Sequence, residues 1–324
     1  MSGVLVFGEL TDGHLSGTTA ELIALGKQLG ESVAVALFGG NMAGAADEAA
    51  AYGADRVHLV EDPLLVDGQK DAIIAAFDSL CREVSPDIVL IGKTPLGLDV
   101  GPRLAFRLHA GLAQDCVSLE MRDGKLVATR SVYGGNALAT VGFPEQGPRI
   151  AIVRGKVYEP LAPDASQTAE IVKFEPKLDS SVIKAKTVQV VKRESQGVRL
   201  DDADVVVSGG RGLGGPDPFA QLQELASLLK GAVGASRAAC DAGWLDHSYQ
   251  VGLTGKTVTP NLYIAVGISG ASQHMAGCSG AKNIVAINKD ENANIFKEAR
   301  YGVVGDWKGV LSSFIETVRE LTKS

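Results

Sequence analysis

The sequence predicts an α/β protein of two open, doubly wound parallel-sheet domains, the first carrying an antiparallel β extension. Three observations lead there. Short β-branched runs alternate with Ala/Leu-rich helical stretches through the first hundred residues. A second such series opens at Val205, and the 324-residue length exceeds one ordinary domain.

Taken in order, Val4–Phe7 reads as a strand and Thr18–Leu29 as a helix, followed by the strand Val33–Leu37 and the helix Ala43–Ala51. Val57–Val60, Lys70–Val84, Ile88–Ile91 and Gly101–Leu108 continue the alternation, with Gly or Pro at most joins. Strands buried on both faces by helices read as such continuous apolar runs. After His109 the strand-like segments Leu119–Arg122, Leu126–Ser131, Ala137–Val141 and Ile150–Val153 are separated by Asp-Gly, Gly-Gly and Pro-Glu-Gln-Gly turns, which predict antiparallel pairing. Residues 160–203 are rich in Pro, Ser, Thr, Lys and Asp, and their strong β run is Thr187–Val191. A domain boundary is expected near 195–203, giving an N-terminal α/β unit of residues 1–200 that resembles nucleotide hydrolases and ends in a linker, and a C-terminal unit of residues 201–324 that ends in the helix Lys308–Leu321.

Composition excludes several classes. Hydrophobic residues make up 45% and charged residues 21%, the balance of an ordinary globular chain. The net charge is −7; the 11 acids and 11 Lys/Arg from residue 204 onward cancel, so the excess of 27 acids over 20 bases lies before it. Neither half offers a nucleic-acid surface. Cys81, Cys116, Cys240 and Cys278 lie far apart, with no CxxC pairing, and read as reduced thiols rather than a disulfide scaffold or zinc site. The N-terminus enters an apolar strand at once, with no leader-type segment, which predicts a cytoplasmic chain. Apolar runs fall short of the roughly 18 residues that a membrane span requires.

Four stretches carry chemistry. In Val205-Val-Val-Ser-Gly-Gly-Arg-Gly-Leu-Gly-Gly, residues Gly210, Gly212 and Gly215 satisfy GxGxxG between a strand and the helix Pro218–Leu229, and Arg211 sits inside the loop. A nicotinamide site expects an acidic residue about 20 positions on. Ala235, Ser236 and Arg237 stand there instead, so another dinucleotide fits better; a plain glycine-rich turn satisfies the same residues. Ser236 and Arg237 end the next strand, where α/β ligands collect; Arg237 suits a phosphate or an electron-accepting ring, or pairs with Asp241 in solvent. Val251-Gly252-Leu253-Thr254-Gly255-Lys256 is a short Gly/Thr loop without GxxxxGK spacing, which rules out a nucleoside-triphosphatase reading. Lastly, a strand ending at Ile268 leads to a helix starting at Ser269-Gly270, with Gln273 and His274 in its first turns. Asn288, at the end of the next strand, and Asp306, after Tyr301–Val304, fall at the same edge.

The run Leu-Tyr-Ile-Ala-Val-Gly-Ile-Ser-Gly-Ala-Ser-Gln-His-Met-Ala-Gly from Leu262, with Ile-Val-Ala-Ile-Asn ending at Asn288, resembles the signature of the electron-transfer flavoprotein alpha subunit. Gly-Gly-Arg-Gly-Leu, Gly-Ala-Ser-Arg, Asp-Ala-Gly-Trp, Thr-Gly-Lys and Tyr-Gly-Val-Val appear in family order, covering residues from about 203 to 324; the first domain matches in architecture and length. The resemblance implies a Rossmann-like second domain that holds one FAD near a partner beta subunit. It assigns Arg211 and Ser269, Gly270, Ala271, Ser272 and Gln273 to the pyrophosphate and ribityl region, Asn288 to the ribityl or adenosine side, and Asp306 with Trp307 to the adenosine end. Ser236, Arg237, Thr254 and His274 would surround the ring, with Val251, Gly252, Leu253 and Gly255 completing the loop. Members commonly carry Gln where this chain has Leu253, so that side-chain hydrogen bond is lost here.

What the resemblance implies is an electron carrier without small-molecule turnover of its own. It would run between dehydrogenases, such as the acyl-CoA dehydrogenases of fatty-acid β-oxidation, and a membrane quinone oxidoreductase or another acceptor. An NADH-linked, electron-bifurcating pair is the alternative within the same chemistry, and a non-redox nucleotide-binding module the alternative outside it.

Overall fold

A computed structural model describes residues 3–40, 42–65, 69–135, 137–185 and 198–321. The chain divides into two compact units, Met1–Ser131 with Leu138–Val191, and Val132–Ala137 with Lys192–Ser324.

The first unit runs β1 (Gly3–Phe7), the two-residue strands β2 (Leu10–Thr11) and β3 (His14–Leu15), α1 (Gly17–Leu29), β4 (Ser32–Phe38), α2 (Ala43–Ala51), β5 (Arg56–Val60), α3 (Lys70–Val84), β6 (Ile88–Gly92) and α4 (Pro95–Leu108). β7 (Gly111–Arg122), β8 (Lys125–Val132), β9 (Ala137–Gly142), β10 (Arg149–Val153) and β11 (Glu170–Phe174) follow. Among the described residues β2 and β3 pair with each other, and the other nine strands build one sheet in the order β11-β5-β4-β1-β6-β10-β7-β8-β9. The alternation of the strands decides the layers. Val4 and Val6 point to the face covered by Leu22 and Ile23 of α1 and Ala46 of α2, whereas Leu5 and Phe7 meet Ile74 and Phe77 of α3 and Leu104 of α4. Each of the larger side chains among these, fully buried, contributes roughly 1.5–3 kcal/mol.

β7 and β8 pair antiparallel, as the Asp-Gly turn predicts, but β10 does not join that extension. It lies parallel between β6 and β7, and all of Ile150–Val153 is buried. A continuous apolar run marks a strand covered on both faces, and that signal outranks the turn before it. Helix α4 starts at Pro95 rather than Gly101, because Thr94 accepts the Gly97 amide at 2.9 Å and Pro95 takes the first helical position, where its missing N–H costs nothing. Pro102 lies inside this helix without ending it. The edge strand β11, parallel to β5, is not foreshadowed by the sequence pattern, and the Thr187–Val191 run lies outside the described residues.

The second unit comprises β12 (Val205–Gly209), α5 (Phe219–Leu228), β13 (Ala232–Ala235), α6 (Arg237–Asp241), β14 (Leu262–Val266), α7 (Ser272–Cys278), β15 (Ile284–Asn288), α8 (Ile295–Glu298), β16 (Tyr301–Val304) and α9 (Trp307–Leu321). Its sheet, in the order β13-β12-β14-β15-β16, is parallel throughout. Val207 and Ile264 face α5 and α9 through Leu222, Leu225, Leu311 and Ile315; Val206 and Tyr263 face α7 and α8 through Met275, Cys278 and Ile295. The order reverses between β12 and β14, which places the binding crevice outside their carboxyl ends.

Candidate functional site at the carboxyl rim of the second sheet

At the switch point, glycine determines how closely the loops approach. Gly210 N donates to Val266 O at 2.9 Å and Gly212 N to Gly267 O at 3.0 Å. A Cβ on Gly210 would lie 2.2 Å from the Gly267 carbonyl oxygen, and one on Gly212 2.7 Å from it. These glycines thus serve close packing of backbone on backbone, and Gly215 has open space around its Cβ position. No helix begins at the glycines either: the chain makes a 3-10 turn over Arg211–Leu213 and reaches α5 only at Phe219. GxGxxG here is not the dinucleotide fingerprint, although it leaves Arg211 exposed at the crevice.

Ser236 and Arg237 follow β13, and the Val251 amide donates to Ala235 O at 2.9 Å, which ties the Val251–Gly255 loop to that strand end. The Leu253 amide donates to Gln273 O at 2.7 Å, and Gly277 packs so tightly on Gly252 that a Cβ would come within 2.3 Å of the Gly252 nitrogen. Loop and α7 are therefore one piece. Val251 and Gly252 are buried within it, while Leu253, Thr254 and Gly255 are exposed. Gln250 Nε2 donates to Thr254 Oγ1 at 2.9 Å, so the threonine hydroxyl retains its own proton for another acceptor.

Helix α7 begins at Ser272, not at Ser269. Strand β14 ends at Val266, and Gly270, at φ +77°, turns the chain through a conformation that a side chain resists. Ser269, Ala271, Ser272 and Gln273 are exposed on this turn. His274 is buried beneath it: Nε2 lies 2.9 Å from Tyr263 Oη, and Nδ1 has no hydrogen-bond partner of normal geometry. Burial lowers the imidazole pKa to about 4, against a weaker opposing effect of the Val251 carbonyl. Ser236 Oγ is likewise buried without a partner.

The remaining positions are placed but locally engaged. Asn288 Nδ2 donates to Ile268 O at 2.9 Å and Oδ1 accepts the Asp290 amide at 3.0 Å, so its side chain braces two loops. Asp306 Oδ1 accepts the Lys308 amide at 3.0 Å at the start of α9, and Trp307 packs against the apolar core. Arg237 leans on Asp241, Nε to Oδ2 at 3.3 Å, and is exposed. Two residues were not anticipated. Gln250 precedes the loop it steadies, and Tyr263 reads as one more apolar strand residue; the signal for it was a hydroxyl in a run that is buried on both faces.

The site is a row of exposed polar groups along one sheet edge with two orphaned buried polar atoms behind it, the arrangement of a cofactor-binding α/β domain. A family model for the electron transfer flavoprotein domain matches residues 4–179, and one for the electron transfer flavoprotein FAD-binding domain matches residues 199–279. The electron transfer flavoprotein subunit alpha of Thermoanaerobacterium thermosaccharolyticum is 41% identical over 323 residues, 98% of each chain. That of Bacillus subtilis is 42% identical over 324 residues, again 98% of each. The acryloyl-CoA reductase electron transfer subunit beta of Anaerotignum propionicum is 35% identical, over 98% of this chain and 95% of its own. The chain therefore belongs to the electron transfer flavoprotein family, as an alpha subunit that binds FAD. His274 Nδ1, which lacks a hydrogen-bond partner of normal geometry, and the unpaired Ser236 Oγ fit such a group, since a buried polar atom is stable only with a partner. Among the described residues no helix is long and apolar enough to cross a membrane.

Proposed function

We propose that this chain, paired with a beta subunit, is a carrier whose FAD lies along the carboxyl rim of the second sheet. FAD supplies the electron-accepting ring; the protein binds it, orients it and sets its potential. The observation that carries the reading is the continuity of the rim. Hydrogen bonds link the β13 end to the Val251–Gly255 loop, the loop to Gln273, and Asn288 O to the Gly305 amide at 2.9 Å beside Asp306.

On this reading Arg211 and the turn Ser269–Gln273 hold the pyrophosphate and ribityl portion, and Asp306 with Trp307 the adenosine end. Asn288 acts by fixing the β14 and β15 loops rather than by a free side chain. Ser236, Arg237, Thr254 and His274 stand beside the ring, the guanidinium offering fixed positive charge and the Thr254 hydroxyl a donor. Donors are dehydrogenases, acyl-CoA dehydrogenases among them, and acceptors a quinone oxidoreductase or another redox protein. The relative named for an acryloyl-CoA reductase keeps a CoA-ester pathway in view for this chain.

The test is the visible spectrum of the chain purified with its beta subunit, with FAD counted and reduction followed stepwise. One FAD per heterodimer and no reaction with NADH supports the carrier. Two flavins reduced by NADH would replace it with a bifurcating pair, and a colourless heterodimer would reject the rim as a flavin site.

A further inference from the structure

Tyr263 sits in the middle of β14 with none of its surface exposed, among Val206, Met275, Cys278 and Ile295. A phenol in so apolar a layer must place its proton on an acceptor. His274 provides one: Oη and Nε2 are 2.9 Å apart, with the rings tilted by 55°. The direction of this bond follows from the two groups. The imidazole lone pair is the better acceptor and the phenol the better donor. Were Nε2 protonated, the phenol proton would have to turn to the Ser208 hydroxyl or the Cys278 sulfur beside it, both weaker acceptors than an imidazole lone pair, and Ser208 Oγ makes no bond of normal geometry with it. Nε2 therefore accepts, and a neutral ring carries its single proton on Nδ1. The Val251 carbonyl, which can only accept, favours a proton on the nitrogen that Tyr263 leaves free, but it is not in the geometry of a full hydrogen bond, so that proton remains available to a second acceptor.

We propose that Tyr263 is a positioning residue that locks His274 as the Nδ1–H tautomer, making the imidazole a neutral hydrogen-bond donor toward an oxygen of the flavin ring system. The inference rests on the reading that His274 faces the cofactor. It adds what kind of group His274 is: burial keeps the ring neutral at pH 7, so it acts on the flavin as a fixed dipole and Arg237 is the charge. Tyr263, in contact with neither solvent nor rim, acts only through His274.

The test uses the FAD-loaded complex with 15N-histidine in this chain. It has five histidines, so His274→Gln assigns the resonance. In the wild type, Nδ1 should show the shift of a protonated nitrogen and Nε2 that of a bare one. In Tyr263→Phe the single-tautomer pattern should be lost, the ratio falling by roughly fivefold for a hydrogen bond of ordinary net strength. The flavin potential should shift in the same direction in Tyr263→Phe and His274→Gln, with no further shift in the double variant. A protonated Nε2 in the wild type overturns the proposal without any variant having to fold. So does a Tyr263→Phe protein whose tautomer pattern collapses while its potential stays put and that of His274→Gln moves. If His274→Gln also leaves the flavin untouched, the ring-side placement of His274 fails first and the proposal falls with it.

Discussion

Asp71 on α3 and Arg103 on α4 form an ion pair between two helices on one face of the first sheet, and the other carboxylate oxygen of Asp71 accepts the amides of Lys184 at 2.7 Å and Ala185 at 3.1 Å. One side chain thus ties three segments of the chain together.

Hydrogen bonds to the ionised form, chiefly from Arg103, hold the Asp71 carboxyl at about 2. Its contribution is then present above the unfolded value near 4 and disappears as pH falls from there toward 2. Asp71→Ala should destabilise the first unit by about 2 kcal/mol at pH 7, a modest figure for charge-assisted bonds because Arg103 is partly in solvent. Urea midpoints of the two proteins should differ most at pH 7 and by about half as much at pH 3, the gap closing as pH nears 2.

Glu21, on α1, behaves in the opposite way. Burial raises its carboxyl to about 7, although its Oε2 accepts the Lys156 amide at 2.7 Å. The folded state binds the proton more tightly than the unfolded state, so this residue favours folding below about pH 4.5 and loses that advantage as pH rises through 7. Glu21→Gln should be neutral near pH 4 and stabilising by about 1–2 kcal/mol at pH 8, after allowance for the water that still reaches the group. A variant equally stable relative to wild type at both pH values would count against a protonated Glu21.

His274 predicts an acid limit for the second unit. With a folded pKa of about 4 and an unfolded one near 6.5, the unfolded state takes up the proton first as pH falls between those values. Stability should drop across that window by up to about 3 kcal/mol and then level off. The difference in pH slope between wild type and His274→Gln isolates this effect from that of the carboxylates.

Gly270→Ala should cost roughly 3 kcal/mol, since φ of +77° is strained for alanine and the new Cβ would stand 2.2 Å from the Ile295 nitrogen. FAD affinity should fall with it, because the displaced turn is Ser269–Gln273. Thermal unfolding and flavin titration of one sample measure both.

Arg237→Ala should leave the melting temperature almost unchanged, as the exposed pair with Asp241 is worth well under about 1 kcal/mol. On the proposed reading the flavin binds more weakly and its potential falls. An unchanged potential would place Arg237 away from the ring.

Much of the architecture is legible in the amino-acid sequence itself. Alternation of buried β-branched runs with helical stretches is a local signal, so it marks most strands of both sheets and the rim positions at their carboxyl ends. Polar residues such as Ser236, Thr254 and Asn288 stand out because they interrupt apolar runs at the ends where α/β ligands collect.

What the sequence by itself left open were matters of partner. Whether Ile150–Val153 pairs parallel depends on β6 and β7, both distant in sequence, and the preceding turn pointed elsewhere. Gly210 and Gly212 look like phosphate-loop glycines until Gly267 is seen against them. Tyr263 and His274 are separated by a strand end, a turn and a helix start, and their bond exists only because β14 and α7 pack through one apolar layer. Local periodicity determines which elements form and which face is buried; hydrogen bonds between buried side chains are set by the packing of those faces, and that is a property of the folded chain.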